Sequence, residues 1–191
     1  MPNPIATISM RSGAHIRIEL RPDQAPNTVA SFISLASAGL FDDYPISRIV
    51  PGYVVDASYT AFGRNACKYL IANESRCSGF PNTLRVEPGV IAMGGYPQGI
   101  AGGEFFFPLD YFEKLDGHYP AFGVILEGME EVRRWTGVPL RPVPGAPEGV
   151  EINEPVTPIY IDRVRVETFE SAFPPPVKLQ AVLPENLSLI H

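Results

Sequence analysis

The sequence predicts a mainly β fold, a closed eight-stranded antiparallel barrel capped by two α-helices. Three observations predict it. Proline supplies 21 of the 191 residues, about twice its usual share of roughly 5%, and 17 glycines accompany it, so turns are many and long helices few. Helical periodicity shows in two segments only. The other apolar runs are short, number about eight, and never alternate with helices in the βαβ manner; closing such strands into a barrel removes the exposed sheet edges.

The elements follow in chain order. Residues 4–10 and 15–20 read as a hairpin about Arg11-Ser12-Gly13. In its second arm, His15-Ile16-Arg17-Ile18-Glu19-Leu20, apolar and polar residues alternate as a half-buried strand requires. The period then changes to that of a helix: Val29, Phe32, Ile33 and Ala36 share one face. Pro26 suits its first turn and Gly39 the left-handed residue that ends it. Residues 46–55 form a β-rich run broken at Pro51-Gly52. Residues 57–84 lack a sustained period, and so long an irregular stretch in a compact domain is often functional.

Residues 90–93, 104–107 and 121–126 read as further strands. In Phe105-Phe106-Phe107, alternation turns the outer two to one side and Phe106 to the other. A short helix over 128–135 points Met129, Val132 and Trp135 inward. Residues 137–158 carry six prolines and read as a turn-rich connection. The last strand, 159–166, slips phase near Asp162-Arg163, which predicts a β-bulge. The domain is expected to end at residue 167, with 168–191 as a proline-containing tail.

Composition removes several classes of function. A chain 45% hydrophobic and 19% charged folds into a globular body. A net charge of −6 with dispersed Lys and Arg does not supply the cationic surface that nucleic acid or an anionic membrane requires. No apolar run reaches the roughly 20 residues of a membrane helix, and the first ten residues lack the features of a signal peptide, so a cytoplasmic, monomeric protein is expected. Cys67 and Cys77 are too few for a disulfide framework; two reduced thiols are expected, with a bridge as the alternative. No histidine has ligand spacing to them, so no metal or other cofactor is expected.

Four stretches, in order, resemble the cyclophilin-type peptidyl-prolyl isomerases. Ala25-Pro26-Asn27-Thr28-Val29-Ala30-Ser31-Phe32 resembles the family's first helix. Phe41, then Arg48-Ile49-Val50-Pro51-Gly52-Tyr53, resembles its Phe-His-Arg-Val-x-Pro-Gly-Phe strand. Gly89-Val90-Ile91-Ala92-Met93 followed by Glu104-Phe105-Phe106-Phe107 resembles Gly-x-x-x-Met and Ser-Gln-Phe-Phe-Ile. Leu115-Asp116-Gly117-His118-Tyr119-Pro120-Ala121-Phe122-Gly123 resembles Leu-Asp-Gly-x-x-x-x-Phe-Gly. The resemblance spans residues 5–166 and implies a divergent, bacterial-like, single-domain member.

It also implies a shallow groove for an Xaa-Pro peptide. Arg48 matches the catalytic arginine. Tyr53, Val54, Phe106, Leu115 and Tyr119 match the pocket for the proline ring. Gly94 and Gly95 match positions where the substrate backbone is gripped as an added strand, and Met93 before them is counted with the substrate-binding residues. Departures from the pattern are several. Ser47 replaces a histidine, Tyr53 a phenylalanine and Gly94-Gly95 an Ala-Asn pair, and Lys114 stands at a common tryptophan position; Lys114 together with Gly94-Gly95 predicts weak binding of cyclosporin-like macrocycles. Asp56 and Glu104 replace two glutamines that flank the arginine, and are expected either to hold it or to compete for its donors.

Such residues suit the reaction. Amide rotation has a barrier of roughly 18–20 kcal/mol, from nitrogen lone-pair donation, and no bond is made or broken. A catalyst therefore has to bind the twisted amide better than the planar one. A permanent donor over the nitrogen, an apolar pocket for the ring and an open strand edge for the backbone would accomplish that. The substrates implied are proline-containing peptides or unfolded proteins. Two other readings stay open: a prolyl-peptide binding module without turnover, and a β-rich domain whose function resides in residues 57–84.

Overall fold

The structure is a computed structural model, and it describes residues 2–146 and 148–180. Strands β1 (Ile5–Met10) and β2 (His15–Leu20) form the opening hairpin, turning through Gly13 at φ 90°. Its alternation is carried into the packing, for Ala6, Ile8, Met10, Ile16, Ile18 and Leu20 are all buried. Helix α1 (Pro26–Ser37) follows, and Gly39 leaves it at φ 69°. Ala25, at its N-terminal boundary, has no side chain to cap it. Glu74 takes that role from the irregular segment, accepting the N–H groups of Asn27 (2.9 Å) and Thr28 (2.8 Å) and the Thr28 hydroxyl (2.8 Å).

Strands β3 (Tyr44–Pro45) and β4 (Arg48–Val50) are two pieces of one run, interrupted at Ile46-Ser47, and β5 (Val54–Asp56) pairs back on β4. The irregular segment holds three short 3₁₀ turns and the two-residue β6 (Leu70–Ile71). Then come β7 (Val90–Tyr96), β8 (Gly99–Pro108), β9 (Ala121–Glu127) and α2 (Met129–Trp135). The expected connection over 137–158 contains a small hairpin of β10 (Leu140–Pro142) and β11 (Asn153–Pro155). Two three-residue strands, each ending in proline, have too little pattern to be read in advance. The last strand is β12 (Tyr160–Glu167).

The main sheet runs β3-β12-β1-β2-β9-β7-β8-β5-β4, antiparallel throughout, with β6 added on β8. Strands β3 and β4 stand at the two ends of this path and are consecutive in the chain, so the wall curls round on itself as a half-barrel. Nine strands lie along the path, so the expected antiparallel barrel with two helices is found as a curled sheet, and the closed eight-stranded form slightly overstates it. The predicted phase slip in β12 is a bulge: Ser9 faces Arg163 and Met10 faces Ile161, leaving Asp162 as the extra residue. Inside, Phe32 stacks on Phe41 at 5.5 Å and meets Phe105 edge-on at 5.3 Å, while Phe107 packs edge-on against Trp135 at 6.0 Å.

Beyond Glu167 the chain runs across α1 without helix or strand as far as residue 180. The Asn27 side chain brackets Val177, accepting its N–H (2.7 Å) and donating to its carbonyl (2.9 Å). Lys178 lies 4.1 Å over the Tyr69 ring, and Leu179 donates its N–H to the Leu70 carbonyl at 2.8 Å. Both cysteines are free, Cys67 buried and Cys77 exposed. Among the described residues, no helix is long and apolar enough to cross a membrane.

Candidate active site

The strand register assembles the site. Arg48 on β4 faces Asp56 on β5, Asp56 faces Phe106 on β8, and Phe106 faces Ala92 on β7. These four residues form one row across four adjacent strands, so their side chains emerge on the same face of the wall. Their neighbours in sequence, Ile49, Val55, Phe105 and Ile91, belong to the barrel interior. Phe106 instead joins an outer apolar cluster with Val50, Val54, Val86, Leu115 and Ala121, against which Tyr53, Phe112 and Tyr119 pack.

Arg48 is clamped. Its Nη1 donates to Asp56 Oδ2 at 2.6 Å and its Nε donates to the carbonyl of Glu151 at 2.9 Å. The side chains of the pair are 2% and 3% exposed. A buried guanidinium with two of its nitrogens fixed holds its plane, and the carboxylate balances its charge where water cannot. The Tyr59 ring stands 5.6 Å from the guanidinium carbon. Sequence reasoning missed Glu151, because it acts through a backbone carbonyl and any residue type could occupy its position.

The two acids part company. Asp56 is the partner of Arg48. Glu104, two residues from Phe106, accepts the Phe62 N–H at 2.9 Å and the Tyr96 hydroxyl at 2.9 Å. Burial pushes its carboxyl up to about 8, against the pull of those two donors, and the charge of Asp56 raises it further. Glu104 thus ties the 61–63 turn to β7, with its carboxyl held well above the usual carboxylate range.

The apolar wall is built from two loops and the sheet. Phe106 meets Tyr119 edge-on at 5.7 Å, and Tyr53 meets Phe112 edge-on at 4.9 Å. The Lys114 ammonium lies 4.2 Å over the Tyr53 ring, a cation over an aromatic face. Burial raises the Tyr119 hydroxyl well above the usual phenol range. The Tyr53 and Ser47 hydroxyls are buried without a hydrogen-bond partner among the described residues. Leu115 and Val54 are buried in the same cluster.

Met93, expected among the substrate-binding residues, sends its side chain into the barrel core and its N–H to the Pro120 carbonyl at 3.1 Å. Its side chain is therefore placed with the core, away from the outer cluster. Gly94 lies at a break in the β7–β8 ladder: Met93 faces Phe105, but Gly95 faces Ile100. At Gly95 a Cβ would come within 2.7 Å of the tip of the Ile100 side chain and 3.3 Å of the Gly99 carbonyl oxygen, so a larger residue there would require Ile100 to shift. Residues 57–84 contribute to the fold through Glu74 and to the site's surroundings through Tyr59 and Phe62.

Three comparisons bear on this arrangement. The family model for "Cyclophilin type peptidyl-prolyl cis-trans isomerase/CLD" matches residues 5–166. Peptidyl-prolyl cis-trans isomerase B of Bacillus subtilis is 31% identical over 122 residues, 63% of this chain and 82% of that protein. Peptidyl-prolyl cis-trans isomerase-like 2 of Cryptococcus neoformans is 31% identical over 139 residues, 72% of this chain. The match takes in only 24% of that longer fungal protein. Among solved structures, a cyclophilin type isomerase of Cryptosporidium parvum, crystallised in the presence of the dipeptide Ala-Pro, superposes with a TM-score of 0.67. That likeness covers 85% of this chain and 98% of the other at 19% identity, and so speaks for the fold alone. With the family model spanning the whole barrel, from its first strand into its last, this chain belongs to the cyclophilin-type peptidyl-prolyl cis-trans isomerase family.

Proposed function

We propose that the chain is a peptidyl-prolyl cis/trans isomerase acting on Xaa-Pro bonds in peptides and unfolded proteins, with Arg48 as its catalytic residue. The observation that carries this reading is the row Arg48-Asp56-Phe106-Ala92, which sets a clamped guanidinium beside an apolar cluster on one face of the wall. Phe106, Tyr53, Val54, Leu115 and Tyr119 enclose the proline ring. The backbone of Gly94 and Gly95 accepts the peptide as an added strand. Arg48 donates to the prolyl nitrogen as it turns pyramidal, a hydrogen bond that the planar amide cannot make. The twisted state is thereby favoured over both ground states, and exchange accelerates in both directions.

Asp56 serves in this reading as a positioning residue and Glu104 as a support. The protein acts as a monomer in the cytoplasm, without metal or cofactor, and binds neither nucleic acid nor membrane. The unit responsible is the barrel of residues 1–167, to which 168–191 is an appendage. A second reading, a prolyl-peptide binder with little turnover, draws on one observation: Arg48 is only 1% exposed. The test is cis/trans exchange of a short Xaa-Pro peptide by NMR, wild type beside Arg48→Ala. Catalysed exchange that falls by about 10²–10³ in a folded Arg48→Ala supports the isomerase, as loss of one transition-state donor should. Peptide binding without acceleration by wild type moves the reading to the binder.

A further inference from the structure

We infer that Lys114 and the Tyr53 hydroxyl form a carboxylate-binding subsite at the rim of the prolyl pocket, so that the protein favours peptides whose proline is followed by an anionic group; this deepens the isomerase reading above and rests on it. The carboxylate comes from an Asp or Glu side chain after the proline, or from the α-carboxylate of a C-terminal proline.

The first observation is an orphan donor. The Tyr53 hydroxyl is buried and has no hydrogen-bond partner among the described residues. A buried hydroxyl left unsatisfied is costly, and a ligand that accepts from it recovers that cost on binding. Tyr53 packs on the outer cluster that holds Phe106 and Leu115, edge-on to Phe112. Burial, and after it the nearby Tyr53 phenol, hold the Tyr119 hydroxyl above the usual phenol range, so the two phenols are neighbours. Tyr119 in turn meets Phe106 edge-on. The orphan hydroxyl therefore belongs to the pocket, where a phenyl ring would have served for packing alone.

The second observation is a cation on the same ring. Lys114 is exposed, its ammonium lies 4.2 Å over Tyr53, and it forms no ion pair among the described residues. The acid nearest the pocket floor, Asp116, is taken by Arg76 at 3.0 Å and by the Val86 N–H at 3.0 Å. Glu113 and Asp110 point to solvent. A cation over a ring keeps its three N–H donors for other partners. The platform is fixed on both sides. The N–H groups of Leu115 and Asp116 both meet the Phe112 carbonyl, and Tyr53 is tied through its N–H to Val50 and through its carbonyl to Leu109, each bond at 2.9 Å. One charged donor and one neutral donor on a rigid ring suit the two oxygens of a carboxylate.

The third observation is direction. Asp56 faces Phe106 and Val54 faces Pro108, so Tyr53 stands at the Pro108 end of β8, while Gly95, opposite Ile100, stands toward its other end. A peptide with its acyl side along Gly94-Gly95 and its ring on Phe106 leaves the pocket toward Tyr53 and Lys114. The group that follows the proline is the one that reaches them. With a net charge of −6 the chain offers carboxylates no general attraction, so such a preference is local.

The test compares three pairs of N-acetylated peptides on the full-length chain by NMR titration, with cis/trans exchange measured alongside. They are Ala-Ala-Pro-Asp amide against its Asn form, Ala-Ala-Pro acid against its amide, and Ala-Asp-Pro-Ala amide against its Asn form. At low salt the anionic member of at least one of the first two pairs should bind at least ~4-fold more tightly. That ratio should shrink toward one at about 1 M salt, where the screening length is about 3 Å. Lys114→Met should bring it within ~1.5-fold, Lys114→Arg should keep it, and Tyr53→Phe should at least halve it, each with Trp135 emission as the check on folding. The larger ratio of the first two pairs identifies the source of the carboxylate. A wild-type ratio of one in both pairs overturns the subsite, as does a ratio that survives Lys114→Met or Tyr53→Phe, or an equal preference for Asp before the proline. The expected preference in binding without accelerated exchange keeps the subsite and removes the isomerase. No binding of any peptide overturns both.

Discussion

At the scale of single residues, the site turns on how two acids are treated. Asp56 meets Arg48 at 2.6 Å with both side chains nearly sealed from solvent. Removing one member of such a pair strands the other charge in the wall. Asp56→Ala should therefore lower stability by about 3–5 kcal/mol, read from the urea midpoint, and slow exchange by freeing the guanidinium plane. Glu104 behaves in the opposite sense. Its folded-state carboxyl, at about 8, lies above its ordinary value of 4.5, so its contribution is complete below about pH 4.5 and is lost as pH rises through about 8. Stability from this group falls across that window because the unfolded chain releases the proton and the folded chain keeps it. In Glu104→Gln the decline should flatten; an unchanged pH profile would show that Glu104 ionises normally.

At the scale of elements, α1 depends on a residue far from it in sequence. Glu74 satisfies two of its leading N–H groups and the Thr28 hydroxyl, in place of the missing side-chain cap at Ala25. Glu74→Ala should cost about 2 kcal/mol, measured by chemical denaturation, and Glu74→Gln should recover part of it. Strand β8 shows how an element divides labour. Phe105 and Phe107 fill the barrel while Phe106 enters the outer cluster, and that division was legible in the sequence from the two-residue period alone. The bulge in β12 was legible for the same reason, since a phase slip at Asp162 has no other cheap explanation. The hairpin of β10 and β11 was not, for its one ladder has only three pairs, two of them containing a proline, and leaves no period to read.

At the scale of the whole molecule, the curled sheet runs from β3 round to β4, and its interior holds the chain's single tryptophan. Trp135 is 0% exposed and edge-on to Phe107, so its emission should be blue-shifted and should change only when the barrel opens. Fluorescence and far-ultraviolet circular dichroism should then give coincident unfolding transitions. Separated transitions would mean that α2 detaches from the barrel before the sheet melts.

By itself the sequence determined the strands and helices with clear periods, the outward turn of Phe106, and the four ordered stretches that carry the family resemblance. Those are local properties, set by side-chain alternation, proline and glycine within a few residues. Tertiary structure alone decided that Asp56 and not Glu104 meets Arg48, that the Glu151 carbonyl completes the clamp, and that Met93 faces the core. It also laid residues 177–179 across α1 to the edge of β8. The reason is physical: strand register and loop path are fixed by contacts between residues about 8 to 150 positions apart in the chain, and no local pattern encodes which distant backbone group a side chain will find.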